Sequence, residues 1–216
     1  MAQAPPTVEI PTLADLLERL GDVAPDRILM QPPLGTATRQ DLIALDRMGE
    51  PLYELIDGVI VRKAMGYLES IIGVAISTLL RNFVAGKDLG VVSGADGMME
   101  LGVNLIRMAD VAFVAWEKFP QGKLSDDPAP EIAPDLAVEV LSRGNTPREM
   151  QRKRVDFFGA GTRLVWIVDP KQRTVRVYTD VETFEEFSAE QKLTGGEVLP
   201  GFEVAVRDIF ADLERA

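Results

Sequence analysis

The sequence predicts an α/β fold with a central mixed β-sheet that is flanked by helices and opened by a β-hairpin. Three observations support this: a hairpin pattern near residue 55, a long apolar helix pattern after it, and three strongly apolar strand patterns further along. This order of elements is typical of a sheet covered by helices. With 216 residues, 46% of them hydrophobic, the chain is expected to form one core. We expect residues 1–48 to be a tail and lead-in helices, and residues 49–216 to be the domain.

The hairpin is predicted by Asp57-Gly58, which separates two apolar segments and favours a two-residue type I′ turn. Before it, residues 1–10 lack any hydrophobic period and predict a loose tail. Thr12, followed by leucines at helical spacing, predicts a short helix that ends near Gly21. Residues 39–48 predict a second helix.

The core of the domain is predicted by its longest apolar segments. Tyr67 to Ala85 has a wide apolar stripe at helical spacing, which predicts a deeply packed central helix. Buried strands are predicted at 111–114, 136–141 and 164–168. Thr146-Pro147 is a good helix start, and this helix is expected to run to about Phe158. Short strands at 90–108, a loop at 117–134 and a strand at 174–178 complete the prediction.

Composition excludes several kinds of site. The chain has no Cys, so disulfides, thiolate zinc sites and Cys nucleophiles are excluded and a reducing compartment is expected. It has no His, so hydrolysis would depend on carboxylates, Lys or a hard metal ion. The N-terminus does not resemble a secretory signal, and the apolar segment 71–80 is too short to cross a bilayer. We therefore expect a cytoplasmic protein without a membrane segment.

Charge is distributed unevenly along the chain. The net charge of −11 argues against broad affinity for nucleic acid. Residues 143–176, however, contain nine basic and three acidic residues, so this segment carries +6 and the remainder −17. The segment is compatible with a local surface that faces phosphates, and equally with ordinary solvated helix and strand faces.

Glu139 lies within an apolar strand pattern and is the strongest candidate for chemistry. A carboxylate is costly to bury as a bare ion, so Glu139 should be paired or bound to metal. Asp110 precedes another apolar strand and can converge on it. Two carboxylates and a backbone carbonyl would suit Mg²⁺ or Mn²⁺. The alternative is a structural salt bridge from Glu139 to an Arg.

Several motifs together carry a resemblance to a known family. They are Tyr53-Glu54-Leu55-Ile56-Asp57-Gly58, Ala109-Asp110-Val111, Ala133-Pro134-Asp135-Leu136-Ala137-Val138-Glu139-Val140-Leu141-Ser142, Lys153, and Trp166-Ile167-Val168-Asp169-Pro170. This combination, over about residues 50–180, resembles the Uma2 family of restriction-endonuclease-like proteins. The resemblance implies a PD-(D/E)XK core, activity as a magnesium-dependent endodeoxyribonuclease, and a homodimer.

The resemblance also implies roles for individual residues. Asp110 and Glu139 match the two acids of the PD-(D/E)XK pattern and would bind the metal, with the Val140 carbonyl supplying a further oxygen. The pattern's Lys position is occupied by Leu141. Lys153 on the following helix matches a relocated Lys that would orient water or neutralise charge on the phosphate. Its helix face would also carry Glu149 as an ion-pair partner and Phe157 as an apolar neighbour.

Other matched positions allow alternatives. Glu54 matches an early family Glu and could assist the metal site or be an ordinary hairpin residue. Asp135 matches an acid before the catalytic strand but could simply cap or turn the chain. Ala109 stands where the family usually has Pro, and Glu69 where it usually has His. The added acid could join the metal site or indicate drift away from catalysis.

The sequence thus predicts a divalent-metal-dependent endonuclease that acts on nucleic acid, with DNA as the favoured substrate. A first alternative is a catalytically silent, homodimeric interaction module, which the acidic charge and the two departures from the family pattern suggest. A second is a hydrolase of small phosphate esters. For the dimer, Trp116 and Phe119 are expected to be exposed and to offer contact surface.

Overall fold

A computed structural model describes residues 10–49 and 51–215. Nearly all of the tail predicted at residues 1–10 lies outside the described residues. The helices are α1 (Leu13–Leu20), α2 (Arg39–Arg47), α3 (Tyr67–Ala85), α4 (Pro147–Gly159) and α5 (Val206–Ile209). The strands are β1 (Tyr53–Ile56), β2 (Val59–Arg62), β3 (Gly90–Ser93), β4 (Met99–Gly102), β5 (Leu105–Arg107), β6 (Val111–Ala115), β7 (Leu136–Val140), β8 (Leu164–Asp169), β9 (Thr174–Tyr178), β10 (Phe184–Phe187), β11 (Lys192–Gly195) and β12 (Leu199–Ala205).

The central sheet has six strands in the order β10-β9-β8-β7-β6-β3. Strands β7 and β8 are parallel, whereas the other neighbours are antiparallel. A smaller sheet has the order β2-β1-β5-β4, and β11 pairs with β12. The prediction of an α/β fold with a mixed central sheet is confirmed.

Helices cover both faces of the central sheet. The stripe of α3, which includes Ile72, Ile76 and Leu80, packs against one face. Met150 and Phe157 of α4 pack with alanines and other apolar residues of the opposite face. Alternate residues of a strand point to opposite faces, so Glu139 shares with Ala137 the face that α4 covers.

The hairpin has the predicted turn. Ile56 pairs with Val59, and Asp57 and Gly58 both have positive φ, at 51° and 76°, as a type I′ turn requires. Strand β5 pairs with β1, and the chain then crosses into the central sheet. This crossing lies at residues 108–110 and brings the hairpin to the start of β6.

The N-terminal elements pack onto the same body. Leu16 and Leu20 of α1 are buried with hairpin residues. The helix ends at Gly21, which has φ 79°, and a Cβ there would lie 2.7 Å from Arg148 O. The Gly21 carbonyl also accepts a hydrogen bond from Thr146 Oγ1 at 2.6 Å. The end of α1 therefore abuts the start of α4 at a separation that only glycine fits.

Helix α3 is the one described helix that is long and apolar enough, by length and composition alone, to cross a membrane. Core helices of soluble proteins meet the same criterion. Here Ile72, Ile76, Leu80 and Val84 pack into the core. The helix thus has the central packing position that its apolar stripe predicts.

The expected exposure of Trp116 and Phe119 is wrong for Phe119. Its side chain is buried, and its ring lies 5.7 Å from that of Trp116. Trp116 is half-buried and donates a hydrogen bond from Nε1 to Asp88 at 3.0 Å. The two aromatics pack on each other after β6 because the chain turns there through two short 3₁₀ segments.

Candidate active site

The predicted site residues meet where the small sheet joins the central sheet. Lys153 on α4 lies between two carboxylates, with Nζ 2.8 Å from Glu139 Oε2 and 3.6 Å from Glu54 Oε1. All three side chains are buried. Glu139 is paired with Lys153. The alternative, a salt bridge from Glu139 to an Arg, is not formed among the described residues.

Asp110, at the start of β6, has both carboxylate oxygens occupied. Oδ2 accepts a hydrogen bond from the Val140 amide at 2.8 Å, and Oδ1 lies 2.9 Å from Lys63 Nζ. The Asp110 side chain is 14% exposed, whereas that of Lys63 is 2% exposed. Lys63 also donates to the Ala95 carbonyl at 3.0 Å. We call Glu54, Lys63, Asp110, Glu139 and Lys153 the carboxylate–lysine cluster.

Sequence reasoning did not identify Lys63. It lies directly after β2 and shares strand parity with the buried Val59 and Val61. Because alternate strand residues face the same side, this parity was a signal that Lys63 points inward. A buried lysine after an apolar strand needs a carboxylate partner, and Asp110 is that partner.

A buried ionic network supports Glu54 from behind. Its Oε1 accepts the Met108 amide at 3.0 Å, and its Oε2 lies 2.9 Å from Arg107 Nη1. Arg107 also donates from Nε to Asp156 on α4 at 2.9 Å. The network fixes Glu54 and ties α4 to the small sheet. Sequence reasoning identified neither Arg107 nor Asp156.

The expected ion pair between Lys153 and Glu149 is wrong. Glu149 is buried and instead binds Arg27, with Oε1 2.7 Å from Nη2. Arg27 also donates to the carbonyls of Arg62 and Gly144. Glu149 lies in the first turn of α4, one turn before Lys153, and is directed toward the N-terminal elements. Phe157, one turn after Lys153, is buried in the core as expected.

Asp135 belongs to the other end of β7. It accepts a hydrogen bond from the Ala115 amide at 2.9 Å and lies 3.1 Å from Lys118 Nζ. These contacts join β6, β7 and the segment after β6. Asp135 therefore lies at the end of β7 opposite to the carboxylate–lysine cluster.

Burial and charge act in opposite directions on the acids. Burial raises the pKa of Glu139 to about 7, although Lys153 and Lys63 partly offset this effect. Burial also disfavours the ionised form of Glu54, but attraction to Lys153, Arg107 and Lys63 outweighs it and lowers the pKa to about 2. Glu54 is thus ionised at neutral pH, and Glu139 is the acid of this pair that titrates near neutrality.

The lysine remains charged in this environment. Burial alone would lower the pKa of Lys153, but Glu139, Glu54 and Asp110 together raise it above its ordinary value. A buried ammonium that stays protonated provides a fixed positive charge. Because the carboxylates hold it in place before any substrate binds, little reorganisation would be needed to use it.

The site has one negative charge in excess when every group is ionised. The acids joined by ion pairs are Glu54, Asp57, Asp110, Glu139 and Asp156, and the basic residues are Lys63, Arg107, Arg152 and Lys153. Protonation of Glu139 removes this excess, in agreement with the raised pKa. Glu139 Oε1 is buried and has no hydrogen-bond partner among the described residues. A bound cation would neutralise the excess charge and coordinate this oxygen.

The donor set limits which cation could bind. No group of three or more His, Cys, Asp or Glu residues suited to a metal occurs in the part of the chain that the structure describes. Mg²⁺ usually binds one or two carboxylates and keeps several waters. The free oxygen of Glu139 and the partly exposed Asp110 fit that requirement, provided that Lys63 moves away from Asp110 Oδ1.

Two cavities open beside the cluster. The smaller, of about 140 Å³, includes Asp110 in its wall. The larger cleft, of about 1010 Å³, lies between the start of α3, the start of α4 and the ends of β8 and β9. Both are lined by Ala64 to Gly66 and by Glu69. Glu69 therefore stands at the junction of the two cavities, near Asp110, and is half-buried.

Comparisons with known proteins agree with this fold. The model of the Uma2 family, described as "Putative restriction endonuclease", matches residues 39–207. The fold is similar to that of "a putative nuclease belonging to DUF820" from Anabaena variabilis ATCC 29413, with a TM-score of 0.67 and 21% sequence identity. That similarity covers 74% of this chain and 90% of the other. The sequence matches no curated protein.

Proposed function

This chain belongs to the Uma2 family, and on that basis we propose that it is a divalent-metal-dependent endonuclease that hydrolyses the phosphodiester bonds of DNA. The observation that supports the proposal most is Glu139. It is a buried acid with one free oxygen, in a cluster with an excess negative charge. Such a group is costly unless a cation or a proton satisfies it.

The metal ligands that we propose are the carboxylates of Asp110 and Glu139 and the carbonyl of Val140. Asp110 is held in orientation by the Val140 amide, so these three residues form one unit at the junction of β6 and β7. Mg²⁺ or Mn²⁺, when bound, supplies positive charge to the scissile phosphate and activates the attacking water.

Lys153 is proposed to stabilise the charge that develops on the phosphate. Its ammonium is buried 2.8 Å from Glu139, and attraction to Glu139 and then to Glu54 raises the pKa of Lys153 and keeps it protonated. Glu54 itself is fixed by Arg107 and by the Met108 amide. Glu54 is therefore a positioning residue that keeps Lys153 charged and directed at the carboxylates, and Lys153 contacts the phosphate.

A plasmid-nicking assay tests the proposal. The protein is incubated with supercoiled DNA in Mg²⁺, Mn²⁺ or EDTA, and we expect nicking with either metal and none in EDTA. Asp110→Asn should abolish nicking, whereas Asp126→Asn, at an exposed loop acid, makes the same chemical change and should not. Equal nicking by both variants would assign the activity to a contaminant or to other residues.

A catalytically silent homodimeric module is the second candidate, and Lys63 is the observation that favours it. Lys63 and Lys153 already neutralise Asp110 and Glu139, so the cluster can be a stable ionic core without metal. Glu69 and Ala109 also replace residues that the family resemblance implies. Absence of nicking in both metals would favour this candidate, whereas a dimer mass by light scattering is expected for both candidates.

A further inference from the structure

We propose that the larger cleft binds a short single-stranded segment of nucleic acid and directs it toward the carboxylate–lysine cluster. The inference rests on the proposed function and specifies its substrate. The cleft adjoins the site through Ala64 to Gly66 and Glu69, which also line the cavity beside Asp110. A strand in the cleft would thus end next to the proposed metal ligands.

The size of the cleft favours a single strand. Its volume of about 1010 Å³ is at the upper end of the range of pockets that enclose small ligands, roughly 300–1,000 Å³. A few linked nucleotides are ligands of that size. A DNA duplex is much wider, since its major groove alone admits an α-helix. A duplex would therefore rest on the rim of the cleft and leave the cleft unfilled.

The charge of the cleft favours a phosphate backbone. Its wall carries five basic residues against three acidic ones, although the whole chain has a net charge of −11. The basic residues are Arg143, Arg148, Arg154, Lys171 and Arg176. Arg143 and Lys171 are exposed and have no ion-pair partner among the described residues. Helices α3 and α4 both begin at the wall, and helix N-termini attract anions.

The apolar part of the cleft favours unstacked bases. Leu141, Met150 and Ile167 contribute to its lining. Tyr67 stands at the rim, and its side chain is 85% exposed. An exposed aromatic in a cleft that also carries basic residues is the combination that proteins use to bind single strands. In duplex DNA the bases are already stacked on one another, so they are not free to stack on this surface.

Binding without cleavage tests the inference separately from hydrolysis. A labelled single strand of about ten nucleotides is titrated with the full chain in EDTA, and fluorescence anisotropy is compared with that of the matching duplex. We expect the single strand to bind at least about tenfold more tightly. The double variant Arg143→Glu/Lys171→Glu should weaken binding by about tenfold or more and reduce the salt slope by about 1.4.

A charge-matched control excludes a general electrostatic effect. Lys192→Glu/Arg207→Glu changes the net charge equally, at exposed residues outside the cleft, and should bind as wild type does. Tyr67→Ala should weaken binding by about tenfold, whereas Tyr67→Phe, which keeps the ring, should not.

Each outcome decides one claim. Equal or tighter binding of the duplex, equal loss in the control double variant, or no binding of the single strand overturns the cleft assignment. If the single strand binds as expected but neither metal supports cleavage, the proposed hydrolysis fails and the cleft assignment stands. If duplex DNA is nicked but the single strand does not bind, the proposed hydrolysis stands and the cleft assignment fails.

Discussion

Replacement of Glu139 by Gln should make the protein more stable at alkaline pH. Glu139 is buried, and its pKa is raised to about 7, so its ionised form is the costly one. The isosteric amide resembles the protonated acid and does not ionise. The two proteins should therefore have similar stability at acidic pH and diverge as the pH rises.

The size of the divergence follows from the pKa shift. Folding raises the pKa of Glu139 from 4.5 to about 7, so the protonated acid contributes to stability. This contribution is complete below the unfolded-state pKa and is lost as the pH rises through the folded-state pKa. The shift corresponds to about 3 kcal/mol. Between pH 5 and pH 8 the wild type should lose most of this amount relative to Glu139→Gln. The lowered pKa of Glu54 acts below pH 4.5 and does not overlap this range.

Urea denaturation in EDTA, followed by circular dichroism at pH 5, 6, 7 and 8, measures the difference. Glu185→Gln, at an exposed strand residue, is the matched control and should follow the wild type at every pH. A constant difference between Glu139→Gln and wild type across this range would refute the reasoning. Addition of Mn²⁺ at pH 8 should stabilise the wild type and leave Glu139→Gln nearly unchanged.

Four further predictions concern turnover, metal affinity, stability and assembly. Lys153→Met should reduce DNA nicking on the order of 10²-fold without weakening Mn²⁺ binding by calorimetry; a wild-type rate would make Lys153 structural only. Lys63→Met should tighten Mn²⁺ binding, because it removes the ammonium that occupies Asp110; weaker binding would mean that Lys63 supports the metal site. Arg107→Met should lower the free energy of unfolding by about 3–5 kcal/mol, since it leaves buried carboxylates without a partner; a change within about 1 kcal/mol would contradict the buried network. The chain is expected to be a homodimer, and a monomer mass by light scattering at micromolar concentration would refute this.

The elements that the sequence predicted well are those with a strong local pattern. The stripe of α3 and the Asp57-Gly58 turn are set by residues close together in the chain, and both are observed. Elements after Tyr178 were not predicted. Strand β10 is largely exposed, so it lacks the apolar alternation that marks a half-buried strand.

The site could be predicted only in part because its contacts are long-range. Resemblance to the family indicated Glu54, Asp110, Glu139 and Lys153, and Lys153 forms ion pairs with both glutamates. Arg107 and Asp156 lie 49 positions apart, and neither has a local pattern that distinguishes it from a surface residue. Which charged residues are buried, and with which partners, depends on the complete fold.

A crystal soaked in Mn²⁺ is the measurement that tests the central claim most directly. Anomalous scattering identifies the ion, and we predict one peak between Asp110 and Glu139, within coordination distance of Glu139 Oε1, with Lys63 moved away from Asp110 Oδ1. Absence of a peak at saturating Mn²⁺, with Lys63 still bound to Asp110, would contradict the claim that these carboxylates form a metal site.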